Sequence, residues 1–335
     1  MFSKFKTLYD HFSDLKWLVS PNSKVHFSAD IKKVVEEKYN TTDFQGFLLW
    51  LKNIKGIGKK AFNSEWAEIG NQLKVRTFEN SLFADGKVFL YQPKDMKKLV
   101  VFLPGSKTGA DEFFFKTKSP FYFKNNLSNS NVGFLVWDWP LQGQREKNSL
   151  FGDLKGLKNI ESEYAKFLPV LGSSLWIEYV DEMRFILEGL AESERKHPNL
   201  SIIGWSQGAH FAWYCALMFE RVNSITVVGS CSLYKHLIET GKTMVHGYSY
   251  YPLFREKFTD LDEIAKYLIT IGSKVNLIYG QNDKGCLQKS VDAISRVSED
   301  YGRSHMLDVI NFKGLGHQFS GNIRERVIYE IEREN

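Results

Sequence analysis

The sequence predicts an α/β fold, in which helices flank a mostly parallel sheet. From residue 98 onward, short apolar runs bounded by Gly or Pro alternate with amphipathic stretches of helical length. The runs are apolar almost throughout, as expected for parallel strands that are buried on both faces. With 43% hydrophobic and 25% charged residues among 335, the chain can bury a large core, which excludes a disordered protein.

The predicted strands come in two groups. An antiparallel entry hairpin is expected at 75–78 and 88–91, because Asp85 and Gly86 between them favour a tight turn. Six further strands are predicted from the apolar runs, at residues 99–103, 133–137, 201–203, 224–228, 275–279 and 307–312. Helices are expected between and after them, at residues 176–195, 207–221, 260–271, 287–297 and 322–332.

Residues 1–71 precede this repeat and have helical spacing. Phe5, Leu8, Phe12 and Leu15 recur at intervals of three and four residues, as on one face of a helix. We therefore expect a helical N-terminal extension over residues 1–71 and the main α/β domain over residues 72–335. Two stretches of that domain, 141–174 and 231–258, do not fit the repeat, and we expect them to form a lid.

Charge and cysteine content exclude several classes of protein. The net charge is +5, but Lys and Arg are dispersed among nearly as many acids, so no nucleic-acid partner is expected. Three cysteines form neither a disulfide framework nor a zinc pattern, which favours a reducing, cytoplasmic location and no metal. No run of about 18 apolar residues predicts a membrane span, and residues 1–20 lack the apolar core of a signal peptide. The sequence leaves homo-oligomerisation open.

The strongest local motif is a GxSxG string, which reads Gly-Trp-Ser-Gln-Gly at residues 204–208. It lies between a predicted strand and a predicted helix, which is the context that the motif requires. A serine on this sharp turn has strained backbone geometry, and glycines flank it because side chains would collide with the neighbouring strand and helix. The turn exposes the hydroxyl of Ser206, the predicted nucleophile, and the helix dipole favours negative charge there. A glycine-rich structural turn is the alternative.

A serine nucleophile needs a base within hydrogen-bond reach and a carboxylate that fixes the tautomer of that base. Asp283 follows the predicted strand 275–279, at the carboxyl end where functional residues of such sheets collect. His317 follows the last predicted strand, in a glycine-rich loop that lets an imidazole reach the serine. A turn-forming Asp283 and a structural His317 are the alternatives, and His210 and His246 are weaker candidates for the base.

Acyl chemistry also needs hydrogen-bond donors for the oxyanion. The backbone N–H of Gln207 is the first expected donor. The second is expected in the loop 104–109, where the N–H of Ser106 is the best candidate and that of Gly105 is the next. The glycines of this loop match neither GxxxxGK[ST] nor GxGxxG, so no nucleotide cofactor is expected.

Nucleophile, acid and histidine in this chain order resemble the α/β-hydrolase superfamily, over residues 75–335. The stretch 138–145, Asp-Trp-Pro-Leu-Gln-Gly-Gln-Arg, is similar to the Asp-x-Pro-x-x-Gly segment often found after that strand in these enzymes. The resemblance implies a twisted sheet of about eight strands, a site at their carboxyl ends, and neither metal nor organic cofactor. The chain departs from the family in the Pro-Gly at 104–105, where many members have His-Gly, and in its N-terminal extension, which helps to close the site in some hydrolases.

We therefore expect a serine hydrolase whose catalytic domain cleaves a carboxylic ester or thioester of a small to medium, apolar substrate through an acyl-enzyme on Ser206. An acyltransferase and a C–C bond hydrolase or lyase on the same triad are alternatives, as is a non-catalytic ligand-binding homologue. The motif does not define the acyl or leaving group, because one residue in a five-residue string cannot select a substrate.

Overall fold

The structure is a computed structural model of the chain. It describes residues 44–333 apart from 71, 107, 124–130, 143–144, 146–160, 162–163, 166–167, 172 and 240–258. The expected helices of residues 1–43 and most of the two expected lid stretches lie outside the described residues.

One sheet contains ten strands of the described chain. They are β1 (Lys60–Phe62), β2 (Ala67–Gly70), β3 (Leu73–Asn80), β4 (Gly86–Tyr91), β5 (Lys98–Leu103), β6 (Val132–Trp137), β7 (Leu200–Trp205), β8 (Ser224–Val228), β9 (Lys274–Gly280) and β10 (Leu307–Phe312). Their order across the sheet is β1-β3-β4-β6-β5-β7-β8-β9-β10, with β2 also paired to β3. Pairing is antiparallel from β1 to β6 and parallel from β6 to β10. The carboxyl ends of the parallel strands therefore meet at one edge of the sheet.

The predicted α/β sheet is confirmed, with β3 and β4 as the entry hairpin and β5 to β10 as the six apolar strands. Its size is corrected from about eight strands to ten, because β1 and β2 were expected to be helical. These strands have three and four residues and no fully buried apolar residue, so they carry no clear apolar pattern. Backbone pairing to β3 forms them, with Lys60 opposite Asn80 and Ala67 opposite Val75. The helical assignment of residues 1–71 is therefore wrong at residues 60–70.

Nine α-helices lie within the described residues. They are α1 (Phe44–Lys52), α2 (Ala110–Phe114), α3 (Leu175–Glu188), α4 (Glu192–Arg195), α5 (Gln207–Met218), α6 (Tyr234–Glu239), α7 (Leu261–Thr270), α8 (Gln288–Asp300) and α9 (Gly321–Glu332). The predicted helix 176–195 is two helices, because the chain leaves the helical path at Gly189. A Cβ at Gly189 would lie 2.3 Å from Cε2 of Phe62, so only glycine fits against β1 at the end of α3. None of the described helices is long and apolar enough to cross a membrane.

The core has two layers, one on each face of the sheet. Successive side chains of β5 alternate between them, with Val101 and Leu103 in one layer and Val100 and Phe102 in the other. Helices α1, α3, α5, α7 and α8 contribute to the first layer, and α2 and α9 to the second. Both faces of β5 are thus covered, which explains the apolar run from Leu99 to Leu103.

Candidate active site

Ser206 occupies the sharp turn between β7 and α5, which is called the elbow below, with α5 as the elbow helix. Its φ of 53° and ψ of −113° place a non-glycine residue in a strained backbone region. A Cβ at Gly204 would lie 2.3 Å from the carbonyl oxygen of Gly208, and a Cβ at Gly208 would lie 2.0 Å from that of Leu103. Both glycines are therefore required by close backbone approach. The N–H of Ser206 donates to the carbonyl of Val228 at 2.8 Å, which anchors the turn to β8.

The structure brings the predicted nucleophile, base and acid together. Oγ of Ser206 lies 2.8 Å from Nε2 of His317, and Nδ1 of His317 lies 3.0 Å from both carboxylate oxygens of Asp283. The Asp283 side chain is 1% exposed, whereas that of His317 is 43% exposed. With the proton on Nδ1, the lone pair of Nε2 faces the serine hydroxyl. This arrangement can accept a proton from the serine.

Neighbouring strands explain why Asp283 and His317 meet. Asp283 follows β9 and His317 follows β10, and these strands pair in parallel. The loops that follow these two strands are joined by a backbone hydrogen bond, in which the N–H of Asn282 donates to the Leu315 carbonyl at 2.8 Å. A Cβ at Gly280 would lie 2.4 Å from that same carbonyl oxygen, so glycine permits this approach. The N–H of Gly285 also donates to Oδ1 of Asp283 at 2.8 Å and helps to orient the carboxylate.

The loop 104–109, in which the second oxyanion donor is expected and which is called the oxyanion loop, lies against Ser206. A Cβ at Gly105 would be 3.2 Å from Cβ of Ser206. A residue outside the loop helps to hold it in place, because the indole N–H of Trp139 donates to the Pro104 carbonyl at 3.0 Å. Ser106 is half-buried in this loop, and Gln207 is the first residue of α5. The residues expected to supply both donors therefore lie on segments that meet at Ser206, and their roles stay predictions.

The stretch 138–145 supports the exit of that loop. One carboxylate oxygen of Asp138 accepts the N–H of Ala110, the first residue of α2, at 2.7 Å. Burial raises the pKa of the Asp138 carboxyl, against the lowering effect of this hydrogen bond. Arg145 donates to the Asp138 carbonyl at 2.8 Å and forms a buried two-point ion pair with Glu182, at 2.6 and 2.9 Å. These contacts attach the stretch to α3 and to the start of α2.

Glu161 is a residue of the site region that sequence analysis missed. Its Oε1 accepts hydrogen bonds from Nε2 of Gln207 at 2.8 Å, the Tyr179 hydroxyl at 2.8 Å and Nε2 of Gln142 at 2.9 Å. The carboxylate is buried and contacts the side chain of the residue that follows Ser206. No sequence signal marks it, because it lies in an irregular stretch 46 residues before Gln207. That contact attaches part of the expected lid stretch 141–174 to the elbow.

Trp205 is the second residue that was missed. Its indole stacks on the imidazole of His317, with ring centroids 4.9 Å apart and an angle of 19° between the rings. The sequence shows only that it occupies the variable position before Ser206. Its contact with a residue 112 positions later depends on the tertiary structure.

Of the two weaker candidates for the base, the structure describes His210 but not His246. His210 is buried on α5, and its Nε2 lies 2.5 Å from the hydroxyl of Tyr234. His246 and the remainder of the expected lid stretch 231–258 beyond α6 lie outside the described residues. Within the described part of the chain, no group of three or more His, Cys, Asp or Glu side chains is placed to hold a metal ion.

Comparison with solved structures identifies the fold. A candidate acetyl xylan esterase of Bacteroides fragilis NCTC 9343 superposes with a TM-score of 0.59, over 86% of this chain and 83% of that chain, at 12% identity. The protein has the α/β-hydrolase fold. A methylesterase shares this fold with a TM-score of 0.54, over 91% of this chain and 63% of that chain, at 12% identity. Acetyl xylan esterase 1 from Thermoanaerobacterium sp. JW/SL YS485 matches with a TM-score of 0.50, over 91% of this chain and 100% of that chain, at 15% identity.

Sequence comparison gives a more partial likeness. YtaP, a candidate hydrolase of Bacillus subtilis (strain 168), is 28% identical to this α/β-hydrolase-fold chain over 192 residues. The match covers 56% of this chain and 57% of YtaP, so the chain spans little more than half of that relative's length. No protein-family model matches the chain.

Proposed function

We propose that the protein is a serine hydrolase of ester bonds, with Ser206 as nucleophile, His317 as general base and Asp283 as the acid that orients it. The observation that carries this proposal is the continuous chain of hydrogen bonds, 2.8 Å from Ser206 to His317 and 3.0 Å from His317 to Asp283. The strained turn at Ser206 supports it, because that geometry presents the hydroxyl to solvent at the carboxyl edge of the sheet.

In the proposed reaction, Oγ of Ser206 attacks the ester carbonyl carbon while its proton moves to Nε2 of His317. Buried Asp283 stabilises the imidazolium that forms, and the N–H groups of Gln207 and Ser106 bind the oxyanion. The histidine then returns the proton to the leaving alcohol or thiol as the bond to the acyl carbon breaks. Water attacks the acyl-enzyme by the same route, which releases the acid and restores the hydroxyl of Ser206.

The proposed substrate is a carboxylic ester or thioester with a short acyl group. Two of the structures that share the fold are named as acetyl xylan esterases, one of them as a candidate, and a third is named as a methylesterase. These names support a small acyl or alkyl part, although identity of 12 to 15% does not transfer the substrate itself. A cytoplasmic location is proposed on the ground that Cys215, Cys231 and Cys286 are all free and buried.

The experiment that tests the proposal is active-site labelling. Wild type and Ser206→Ala are treated with a fluorophosphonate and analysed by intact mass, and hydrolysis of p-nitrophenyl esters from acetate to decanoate is then measured. We expect one adduct on wild type, none on Ser206→Ala, and the highest kcat/KM with the shorter acyl chains. A matched control is Ser295→Ala, because Ser295 lies on α8 and bonds only locally, to the Val291 carbonyl. An unlabelled wild type would contradict the proposal and favour the non-catalytic ligand-binding alternative.

A further inference from the structure

We infer that Trp205 is a positioning residue that holds the imidazole of His317 in its reactive orientation. The inference rests on the proposed function. It assigns a role to the variable residue of the GxSxG string, which the motif itself leaves free.

The first observation is how His317 is held. Asp283 contacts one edge of the imidazole through Nδ1, and this contact alone leaves the ring free to swing about the Nδ1 edge. Nearly half of the His317 side chain is exposed, so packing on all sides does not restrain it. The indole of Trp205 covers one face of the ring at 4.9 Å and 19°. Stacking on a flat surface restricts tilting of the ring and keeps Nε2 directed at Ser206.

The second observation is that the indole is wedged between two loops of the site. A Cβ at Gly105 would lie 2.6 Å from Cδ1 of Trp205, and a Cβ at Gly229 would lie 2.7 Å from Cζ3. Gly105 belongs to the oxyanion loop, and Gly229 follows β8 with a φ of 74°. The indole therefore occupies space that side chains at these two positions would fill. One side chain thus contacts the oxyanion loop, the loop after β8 and the base.

The third observation is that the indole itself is immobilised. Trp205 is 7% exposed, and Phe319 packs edge-on against it with ring centroids 5.1 Å apart. Phe121 lies behind both rings, 6.4 Å from Trp205 and 4.8 Å from Phe319. Because these aromatic rings pack in the second core layer, the indole is a rigid surface. A rigid support preserves the geometry of the residue that it contacts.

Charge adds to this positional effect. During catalysis His317 becomes an imidazolium when it takes the proton of Ser206. Indole is the best of the side-chain π faces for a cation, and a partly desolvated contact is stronger than an exposed one. The stack therefore stabilises a charge that exists only after proton transfer, which raises kcat without tightening substrate binding.

The test is a double-mutant cycle with kinetics on p-nitrophenyl acetate. We expect Trp205→Leu to lower kcat by roughly tenfold to a hundredfold, with KM changed by less than about threefold, as for a group that acts in the transition state. Trp205→Phe retains an aromatic face and should lose no more than about fivefold in kcat. In a His317→Ala background, Trp205→Leu should cause no further loss of the residual rate beyond about twofold, because the residue that it positions is gone.

The matched control is Trp213→Phe, since Trp213 is a fully buried tryptophan of α5 in the opposite core layer. It should keep the wild-type kcat, and circular dichroism and thermal melting should show that every variant is folded. If Trp205→Leu does not fold, the cycle is run with Trp205→Phe, whose smaller loss should also vanish in the His317→Ala background. An equal loss with and without His317, or a change confined to KM, would overturn the inference.

The outcome is separable from failure of the proposed function. A wild type that is labelled at Ser206 while the cycle is additive would overturn only the role of Trp205. A wild type that resists fluorophosphonate would overturn both.

Discussion

Nε2 of Gln207 donates a hydrogen bond of 2.8 Å to Oε1 of Glu161, across 46 residues of sequence. Gln207 begins α5 and follows the proposed nucleophile. The same carboxylate oxygen also accepts from Tyr179 on α3 and from Gln142. A buried carboxylate thus connects three separate segments and holds the first residue of the elbow helix by its side chain.

We predict that Glu161→Leu lowers kcat by roughly tenfold and the free energy of unfolding by about 2 kcal/mol, because three buried donors lose their acceptor. Glu161→Gln keeps one acceptor oxygen and should fall between wild type and Glu161→Leu. Ester hydrolysis and urea unfolding measure the two effects. The control is Glu192→Gln, because Glu192 is exposed and forms a surface ion pair with Lys196. It should change neither the activation free energy nor the free energy of unfolding by more than about 0.5 kcal/mol. Full activity in Glu161→Leu would show that the connection does not support the elbow.

Asp283→Asn tests the orienting role of the acid. An amide in place of the carboxylate can donate to Nδ1, which favours the tautomer whose Nε2 carries the proton and cannot act as a base. We predict a fall in kcat of roughly 10³ to 10⁴, as for the corresponding change in the serine-protease triad. Steady-state kinetics with p-nitrophenyl acetate measure it, and Asp300→Asn at the exposed end of α8 is the control. If the variant keeps a tenth or more of the wild-type kcat, the activation free energy has risen by no more than about 1.4 kcal/mol, and this result would argue against the assignment.

The elbow glycines have steric roles that a pair of alanine variants can separate. In Gly208→Ala the new Cβ would lie 2.0 Å from the Leu103 carbonyl oxygen, and neither group is on a flexible side chain. We predict a loss of at least about 2 kcal/mol in the free energy of unfolding and slower labelling of Ser206. Gly321, the first residue of α9, has open space around its Cβ position, so Gly321→Ala should be neutral or stabilising by up to about 1 kcal/mol. Equal melting temperatures for the two variants would contradict this steric account.

Asp260 makes the stability of the fold depend on pH. It is the N-cap residue of α7 and is buried. Burial, with the negative charge of Asp262 as a second cause, raises the pKa of its carboxyl from 3.8 to about 6. The native state therefore binds this proton more tightly than the unfolded state does. Stability from this group is present below pH 3.8 and is lost as pH rises through about 6.

We predict that Asp260→Asn removes this dependence, at ~1.4 kcal/mol for each pKa unit. The wild-type free energy of unfolding, taken relative to that of the variant, should fall between pH 4 and pH 7 by about 2 kcal/mol. Urea unfolding at four pH values across this range measures the difference. Asp292→Asn, at an exposed position on α8, should leave the wild-type slope unchanged. A difference that is constant with pH or that rises would contradict the prediction.

Local periodicity was sufficient to predict most of the sheet. Strands such as β5 and β8 are largely apolar and buried on both faces, so their position follows from their own residues. β1 and β2 were missed because they are short, they contain no fully buried apolar residue, and backbone pairing to β3 forms them.

The sequence by itself determined the strand-turn-helix context of Ser206 and the placement of Asp283 and His317 after successive strands. These features depend on residues that are adjacent in the chain, so turn residues and apolar runs predict them. The tertiary structure alone decided that Trp205 lies on His317 and that Glu161 reaches Gln207. Such contacts depend on which strands and loops are neighbours in space, and residues 46 or 112 positions apart leave no periodic pattern between them.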